Sequence, residues 1–292
     1  MAEWRGIYLG RSRRIARCSP VTGRLLVAAF DSGLGEAQPT SIGLVKASSA
    51  SVSGSVYREY PVRPGVADAR IACTWEQRPA ADSLQLIVPD GCVDLIWLAD
   101  RELVIAGPDT GPREVWLPAA LWSLGVRFRP GAAGGFLGIP ASEVRDQQVF
   151  ADAILGGSEY QLIEDLADGE SSRRRAILVE WALGRTPMPD PLVAAAAARL
   201  STSGSRVSDV ARDLGVSERS LHRRVTAAVG YGPKTLARIL RLRQLSRPTK
   251  APLADRAIAA GYASQAHMNE EVRRLTGQTP VRFLKDPAPT PN

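Results

Sequence analysis

Two stretches near the C-terminal end decide how this 292-residue chain is read: Val207-Ser-Asp-Val-Ala-Arg-Asp-Leu-Gly-Val-Ser-Glu-Arg-Ser-Leu-His-Arg-Arg-Val225 and Leu253-Ala-Asp-Arg-Ala-Ile-Ala-Ala-Gly-Tyr-Ala-Ser-Gln-Ala-His-Met-Asn-Glu-Glu-Val272. Each has a short amphipathic segment, a glycine where the chain must turn, a serine able to cap, and a second helix. In the first, Val207, Val210, Ala211 and Leu214 form one apolar stripe. Gly215 suits the left-handed conformation that ends a helix. Ser217 is placed to cap the next helix, and Glu218 sits in its first turn, where the helix dipole favours a negative charge. Leu221, Val225 and Ala228 then share an inward face, and Arg219, His222, Arg223 and Thr226 the opposite one. In the second stretch Ala254, Ala257 and Ile258 give the stripe, Gly261-Tyr262-Ala263 the turn and Ser264 the cap. Met268, Val272 and Leu275 point inward, while Gln265, Ala266, Asn269, Glu270 and Arg273 point outward. Gly277 stops this helix and Pro280 keeps it from resuming.

A helical hairpin that ends in glycine and restarts at serine is common by itself. The same layout found twice argues for a pair of helix-turn-helix units, the motif that lays its second helix in the DNA major groove. Both outward faces carry donors suited to base edges and phosphates. Between the units, Pro233 to Leu245 reads as one helix. Leu236, Ile239 and Leu240 make its apolar stripe, and Arg238 and Arg241 lie on other faces. Pro233 suits a first helical position. Such a connector would set the spacing of the two reading helices.

Charge points the same way. Residues 191–292 hold 17 Lys and Arg against 7 Asp and Glu, a net +10; the rest of the chain holds 20 against 23, a net −3. The positive excess sits on the segment with the reading helices, which implies a polyanionic partner there. A merely soluble basic face would not explain the asymmetry.

Residues 191 to 284 resemble the DNA-binding domain of the AraC/XylS family of bacterial transcription regulators. The resemblance rests on Gly261-Tyr-Ala-Ser-Gln-Ala-His267 followed by Arg273-Arg-Leu-Thr-Gly-Gln-Thr-Pro280, and on Gly232-Pro-Lys234 followed by Arg238 and Arg241. It implies that the outward residues of each second helix read bases in successive major-groove segments on one face of DNA. Matched to this chain these are Arg219, His222 and Arg223, then Gln265, Ala266, Asn269 and Glu270. Glu270 departs from the family, which usually places a basic residue there. A carboxylate cannot bind phosphate, although it can accept from a cytosine amino group.

The remainder divides as follows. Residues 1–55 look poor in structure, with Ser, Gly and Ala dominating Ser41 to Ser55; they are expected to be a flexible extension or the product of a start placed too far upstream. Residues 56–158 read mainly as strand. Leu84–Val88, Cys92–Trp97, Leu103–Ala106 and Leu121–Phe128 are short and apolar, and Pro89-Asp-Gly91, Gly107-Pro-Asp109 and Arg129-Pro-Gly131 punctuate them as turns. The expected fold class is therefore α+β in two domains: a small β-barrel or sandwich-like N-terminal domain, then an all-α domain with two helix-turn-helix units. The runs Val88 to Trp97, Ala106 to Thr110 and Gly125 to Gly131 resemble an uncharacterised, β-rich, cupin-like domain that precedes the reading domain in one branch of the family. Residues 159–190 read as a helical linker, broken at Gly169 to Ser172 and ending in Pro187, Pro189 and Pro191. Arg173-Arg-Arg175 there reads as a solvated helix face. Residues 191–286 form the reading domain, with Leu192 to Leu200 its first helix, and 287–292 a tail.

Asp94 and Arg127 each interrupt an apolar run in the β domain. On neighbouring strands they would form a structural ion pair, or contact an effector. Trp75, Trp97, Trp116 and Trp122 are expected in the core, or lining a pocket. Catalysis fits poorly. The histidines are His222 and His267, both in the reading domain, so the β domain lacks the ligands of a metal-dependent cupin and the base of a hydrolase. Cys18, Cys73 and Cys92 are too few for the four-cysteine zinc site that precedes this type of reading domain in a DNA-repair protein, and their odd number suits a reducing compartment. No apolar run is long enough to span a membrane, and no signal peptide is read. The expectation is a cytoplasmic regulator of transcription that is not an enzyme, with no cofactor and no metal. Double-stranded DNA at a promoter or operator is its partner, and a small-molecule effector or homodimerisation acts through the β domain. The alternative is a DNA-binding protein whose β domain binds a protein and no small molecule.

Overall fold

The computed structural model describes residues 56–62, 70–99, 102–119 and 121–285, together with the backbone of three short strands nearer the start. Those strands, β1 (Gly6–Leu9), β2 (Arg14–Cys18) and β3 (Leu25–Val27), pair antiparallel in that order. The segment read as poor in structure thus holds a three-stranded meander. Three to five residues per strand are too few for a period to show. The rest of residues 1–55 and the tail 287–292 lie outside the described residues.

The β domain continues with β4 (Val56–Tyr60), β5 (Ile71–Arg78), β6 (Ser83–Ile87), β7 (Val93–Leu98), β8 (Glu102–Ala106), β9 (Arg113–Leu117), β10 (Ser123–Phe128) and β11 (Gln148–Phe150). Six of these build one antiparallel sheet in the order β11-β8-β7-β10-β5-β4, and β6 pairs with β9 in a separate ladder. The Gln77 side-chain amide donates to Gln85 at 2.7 Å and ties ladder to sheet. β10, at the sheet centre, is buried along its whole length, as its apolar run requires. Its Gly125 faces Trp75, where a Cβ would stand 2.4 Å from the indole. Trp75 and Trp97 are core residues, whereas Trp116 is 38% exposed.

The short helix α1 (Ala133–Leu137), a 3-10 turn (Ala141–Val144) and α2 (Asp152–Leu155) lead to α3 (Tyr160–Ala167) and α4 (Ser171–Arg185). α3 and α4 are more than a linker. Leu162, Leu166, Leu178, Val179 and Ala182 share one buried core with the sheet residues Leu95, Leu124, Val126 and Phe128. Nor is Arg173–Arg175 simply a solvated face. The Arg174 guanidinium lies 4.9 Å and 4.7 Å from the rings of Trp97 and Trp122 and donates to the carbonyls of Leu166 and Ala167. Arg175 lies 3.7 Å over Tyr60 and pairs with Glu76. Cations stack on aromatic faces because the ring face is the negative pole of its quadrupole. Arg70 caps the far end of α4, donating to the carbonyl of Leu183, which also accepts from the Thr186 N–H, and to that of Thr186.

The reading domain comprises α5 (Pro191–Leu200), α6 (Val207–Asp213), α7 (Glu218–Val229), α8 (Pro233–Leu245), α9 (Leu253–Ala259), α10 (Gln265–Thr276) and α11 (Pro280–Lys285). Its core holds Val193, Leu221, Val225, Leu236, Leu242, Met268, Val272 and Phe283, and takes in Val88 from the β domain. Asp190 caps α5 by accepting from the Leu192 N–H at 2.9 Å. Pro280 does more than block continuation: it opens a new helix, as its missing N–H allows at a first position.

Candidate nucleic-acid interface

The first helix-turn-helix is α6 and α7. Val210 and Ala211 are buried, and Val207 and Leu214 half-buried. Gly215 turns the chain at φ +67°, and the Ser217 hydroxyl accepts from the Ser220 N–H at 3.2 Å. Leu221, Val225 and Val229 fill the core, which leaves Arg219, His222 and Arg223 exposed and Thr226 half-buried on the other side. The imidazole Nδ1 of His222 lies 3.4 Å from the Thr226 hydroxyl. Its Nε2 lies where a side chain at Gly232 would begin, 2.6 Å from an added Cβ.

The second is α9 and α10. Gly261 turns at φ +86°, and the Ser264 hydroxyl accepts from the His267 N–H at 3.1 Å. Met268, Val272 and Leu275 are buried; Gln265, Ala266, Glu270 and Arg273 are exposed and Asn269 half-buried. The stripe of α9 differs from the Ala254, Ala257 and Ile258 that its sequence suggests. Ile258 is 57% exposed and Ala254 is exposed, while Ala257 and Ala260 are buried with Leu253 half-buried. Leu253, Ala257 and Ala260 also fit a helical period, so in a seven-residue helix the pattern admits two faces, and packing chooses.

α8 joins the units over the residues expected, with Leu236, Ile239 and Leu242 buried. Leu240, expected on that stripe, is half-buried. Arg238 does not stand free for phosphate. It forms a two-pronged pair with Glu271 of α10, at 2.5 Å and 3.2 Å, with both side chains 15% exposed. This clamps the connector to the second reading helix. Arg241 is half-buried, and its guanidinium lies 5.8 Å from the Tyr262 ring, near the turn of the second unit.

In the β domain, β7 and β10 set Asp94 directly opposite Arg127. Arg127 grips Asp94 through Nε and Nη2, both at 2.9 Å, and reaches Glu59 at 3.2 Å and Asp90 at 3.6 Å. It is only 8% exposed. Burial works against its charge, but Asp94 and Asp90 hold it firmly protonated. Burial also pushes the Asp94 carboxyl above the usual carboxylate range, against the pull of Arg127. Asp90 and Glu59 add to the rise at Asp94, while Asp94 and Asp90 together outweigh the burial of Arg127. The pair that the sequence left open between structure and ligand is a buried ion pair.

The two domains meet along the end of α7, a contact no sequence signal announced. A Cβ on Gly230 (φ +94°) would stand 2.5 Å from Pro108, one on Gly91 3.2 Å from the Tyr231 hydroxyl, and one on Gly131 2.9 Å from Val193. Arg145 donates to the Gly230 carbonyl at 3.4 Å. The turns at 89–91, 107–109 and 129–131, read only as punctuation, therefore form the surface on which the first unit sits.

Comparison with known proteins agrees with this geometry. Residues 194–286 match a family model described as a helix-turn-helix domain, and residues 64–150 match a domain of unknown function, DUF6597. The chain thus carries an AraC-type helix-turn-helix domain behind a DUF6597 domain. It is 40% identical over 96 residues to the probable bifunctional transcriptional activator/DNA repair enzyme AlkA of Mycobacterium tuberculosis, in two strains, a match covering 30% of this chain. The chain spans about a fifth (19%) of the length of those curated relatives. Among solved structures it is similar to the C-terminal domain of the response regulator AraT from Geobacillus stearothermophilus (21% identity, 35% of this chain and 89% of that one, TM-score 0.32). It is also similar to ToxT from Vibrio cholerae (9% identity, 72% and 95%, TM-score 0.41). Likeness of that degree says nothing of ligands. Among the described residues no helix is long and apolar enough to cross a membrane, and no group of three His, Cys, Asp or Glu is placed to hold a metal ion.

Proposed function

We propose that the protein binds promoter DNA in the cytoplasm through α7 and α10 and regulates transcription there, under control exerted on the β domain. One observation supports this above the others: two capped helices with exposed polar faces, Arg219–His222–Arg223 and Gln265–Asn269–Arg273, are held at a set separation by α8. The net charge of +10 over residues 191–292 supports it independently. No catalytic role is proposed. Arg127 and Asp94 satisfy each other, so an effector that used them would have to displace an existing pair, at the cost of leaving a buried charge unmatched. Control at the domain boundary, where a cleft of about 460 Å³ opens between residues 131–140 and 187–190, would leave that pair intact.

A second reading gives the β domain a protein partner, a second copy included, and no small molecule. It is favoured by Leu84 and Trp116, cross-strand partners that are 44% and 38% exposed. Selection of duplexes from a random pool by the full chain tests the first reading. The expected result is an enriched motif with two half-sites about one helical turn apart; no enrichment would refute it. Sedimentation of the native chain beside Trp116→Glu tests the second: a dimer that dissociates on substitution supports it, and a monomer in both removes it.

A further inference from the structure

We propose that the β domain is itself part of the DNA interface: the cleft between the 3-10 turn Ala141–Val144 and α7 receives the phosphate strand that borders the first reading helix. This rests on the reading of α7 as a major-groove helix and goes beyond it, since that reading assigns DNA contacts to the helical domain alone.

The cleft, of about 770 Å³, opens to solvent between Pro140 and Ser142 on one side and Ser217, Ser220, Arg219 and Arg223 on the other. A helix with its side chains is about 10–12 Å across, and the major groove is about 12 Å wide. A helix seated in the groove therefore has a phosphate strand close along each flank. On α7 one flank is the surface of Ser220 and Ala227, which adjoins Arg223 and faces the turn. When α7 enters DNA, the phosphate strand along that flank would run through this cleft. The lining suits it. Ser142, Ser217 and Ser220 offer hydroxyl donors, Arg219 and Arg223 offer guanidinium donors, and no carboxylate lines the cleft. Glu143 and Glu218 neighbour these residues in sequence without being among them.

The turn is held for such a role. Arg145 donates to the Gly230 carbonyl. Asp146 adopts φ +57°, and its carboxylate accepts from both the N–H and the hydroxyl of Thr110, at 2.6 Å and 2.9 Å. Pro108, two residues before Thr110, abuts Gly230. A non-glycine residue in the left-handed region costs free energy and persists only where its surroundings over-determine it. Turn and helix are thus fixed to each other, and the cleft between them has a set width.

The test is a charge pair at Ser142 in the full chain, with a random-sequence duplex of about 30 bp as probe. Ser142→Arg is expected to tighten binding roughly two- to fivefold, the worth of one exposed ion pair. It should also steepen the slope of log K against log salt by about 0.9, one further phosphate neutralised. Ser142→Glu is expected to weaken binding by a similar factor. A near-isosteric Ser142→Cys carrying tethered iron–EDTA should cut the DNA strand as it does from Ser220→Cys. Unchanged affinity in both charge variants, with no cutting from position 142, would overturn the proposal. Tighter binding by both charge variants would also overturn it, because the turn would then be an obstacle that the substitutions dislodge. If the native chain binds no duplex, the functional reading itself fails, a result distinct from these.

Discussion

Pro108 of the β domain lies against Gly230, the glycine that closes the first reading helix, so closely that a Cβ there would stand 2.5 Å from the proline ring. The end of α7 is therefore positioned by its neighbour domain as much as by its own.

Gly230→Ala should show this. The substitution meets Pro108 and also places alanine at φ +94°. Strain of the second kind alone costs about 1–3 kcal/mol. A lowered melting temperature in the full chain is expected. Pro108→Ala, made together with it, should restore part of the loss, because the clash with the proline ring disappears while the 3.2 Å approach to the Ala141 carbonyl and the backbone share remain. Equal melting temperatures for native and Gly230→Ala would show that the domains do not dock there.

Arg223 and Arg238 should fail in different ways. Arg223→Ala should cost roughly 1–3 kcal/mol at the preferred site, if it reads a guanine, with little effect on random DNA or on folding. Arg238→Ala removes half of a largely buried pair with Glu271 and should cost about 1–3 kcal/mol of stability, between the worth of an exposed pair and of a buried one. Denaturant titration of both single variants and of the double variant with Glu271→Ala isolates the coupling. A full-strength fold in Arg238→Ala that loses affinity for all DNA would return Arg238 to the phosphate track.

Glu270 is exposed on the outward face of α10 beside Arg273 and Arg274. On the phosphate track it is repelled, so Glu270→Arg should tighten binding to every duplex and steepen the salt dependence. If it accepts from a cytosine amino group, the same change should weaken the preferred site and shift the favoured base towards guanine. Titrations at two salt concentrations on selected and scrambled duplexes separate the two. No change in any of them would turn that face of α10 away from DNA.

Burial pushes the Cys73 thiol up to about 12, and Cys92 is raised by the same cause. Protonated thiols are poor nucleophiles. In the native protein near pH 8 neither should be alkylated before local or global unfolding, as peptide mapping after a timed iodoacetamide pulse would reveal. Linkage gives the sign for stability. A group with a raised folded-state pKa contributes in full below its unfolded value and loses that contribution as pH rises to the folded one. Stability should thus fall between about pH 9 and 12, and Cys73→Ala should flatten that limb. Rapid labelling of Cys73 in the folded protein would contradict its placement in β5.

The helical third of the molecule was legible because its signals are local. Gly215, Ser217, Gly261, Ser264 and Gly277 act within a turn of themselves through backbone conformation and capping, and the stripes around them repeat at the helical period. Where a helix is too short for the period to be unique, as in α9, the pattern alone points Ile258 inward and packing turns it to solvent. The β domain was legible as strands but not as an arrangement. β5 and β9 are not legible locally, because Thr74, Glu76, Arg113 and Glu114 break their apolar runs; Glu76 finds its partner in Arg175 of α4 and Arg113 in Asp109 of the preceding turn. Asp94 and Arg127 were visible as anomalies, but that they face each other follows from the register of β7 on β10. Nothing local marks Arg174 for Trp97 and Trp122, Arg238 for Glu271, or the turns at Gly91, Pro108 and Gly131 for the end of α7. These contacts join residues far apart in the chain, and whether a charge meets solvent, a ring or a carboxylate is settled only when packing brings the two surfaces together. Local signals suffice for the two helix-turn-helix units and for the polar faces that α7 and α10 turn outward. That α7 is mounted on the β domain follows from packing alone, because a glycine such as Gly230 permits a close approach without saying what will approach it.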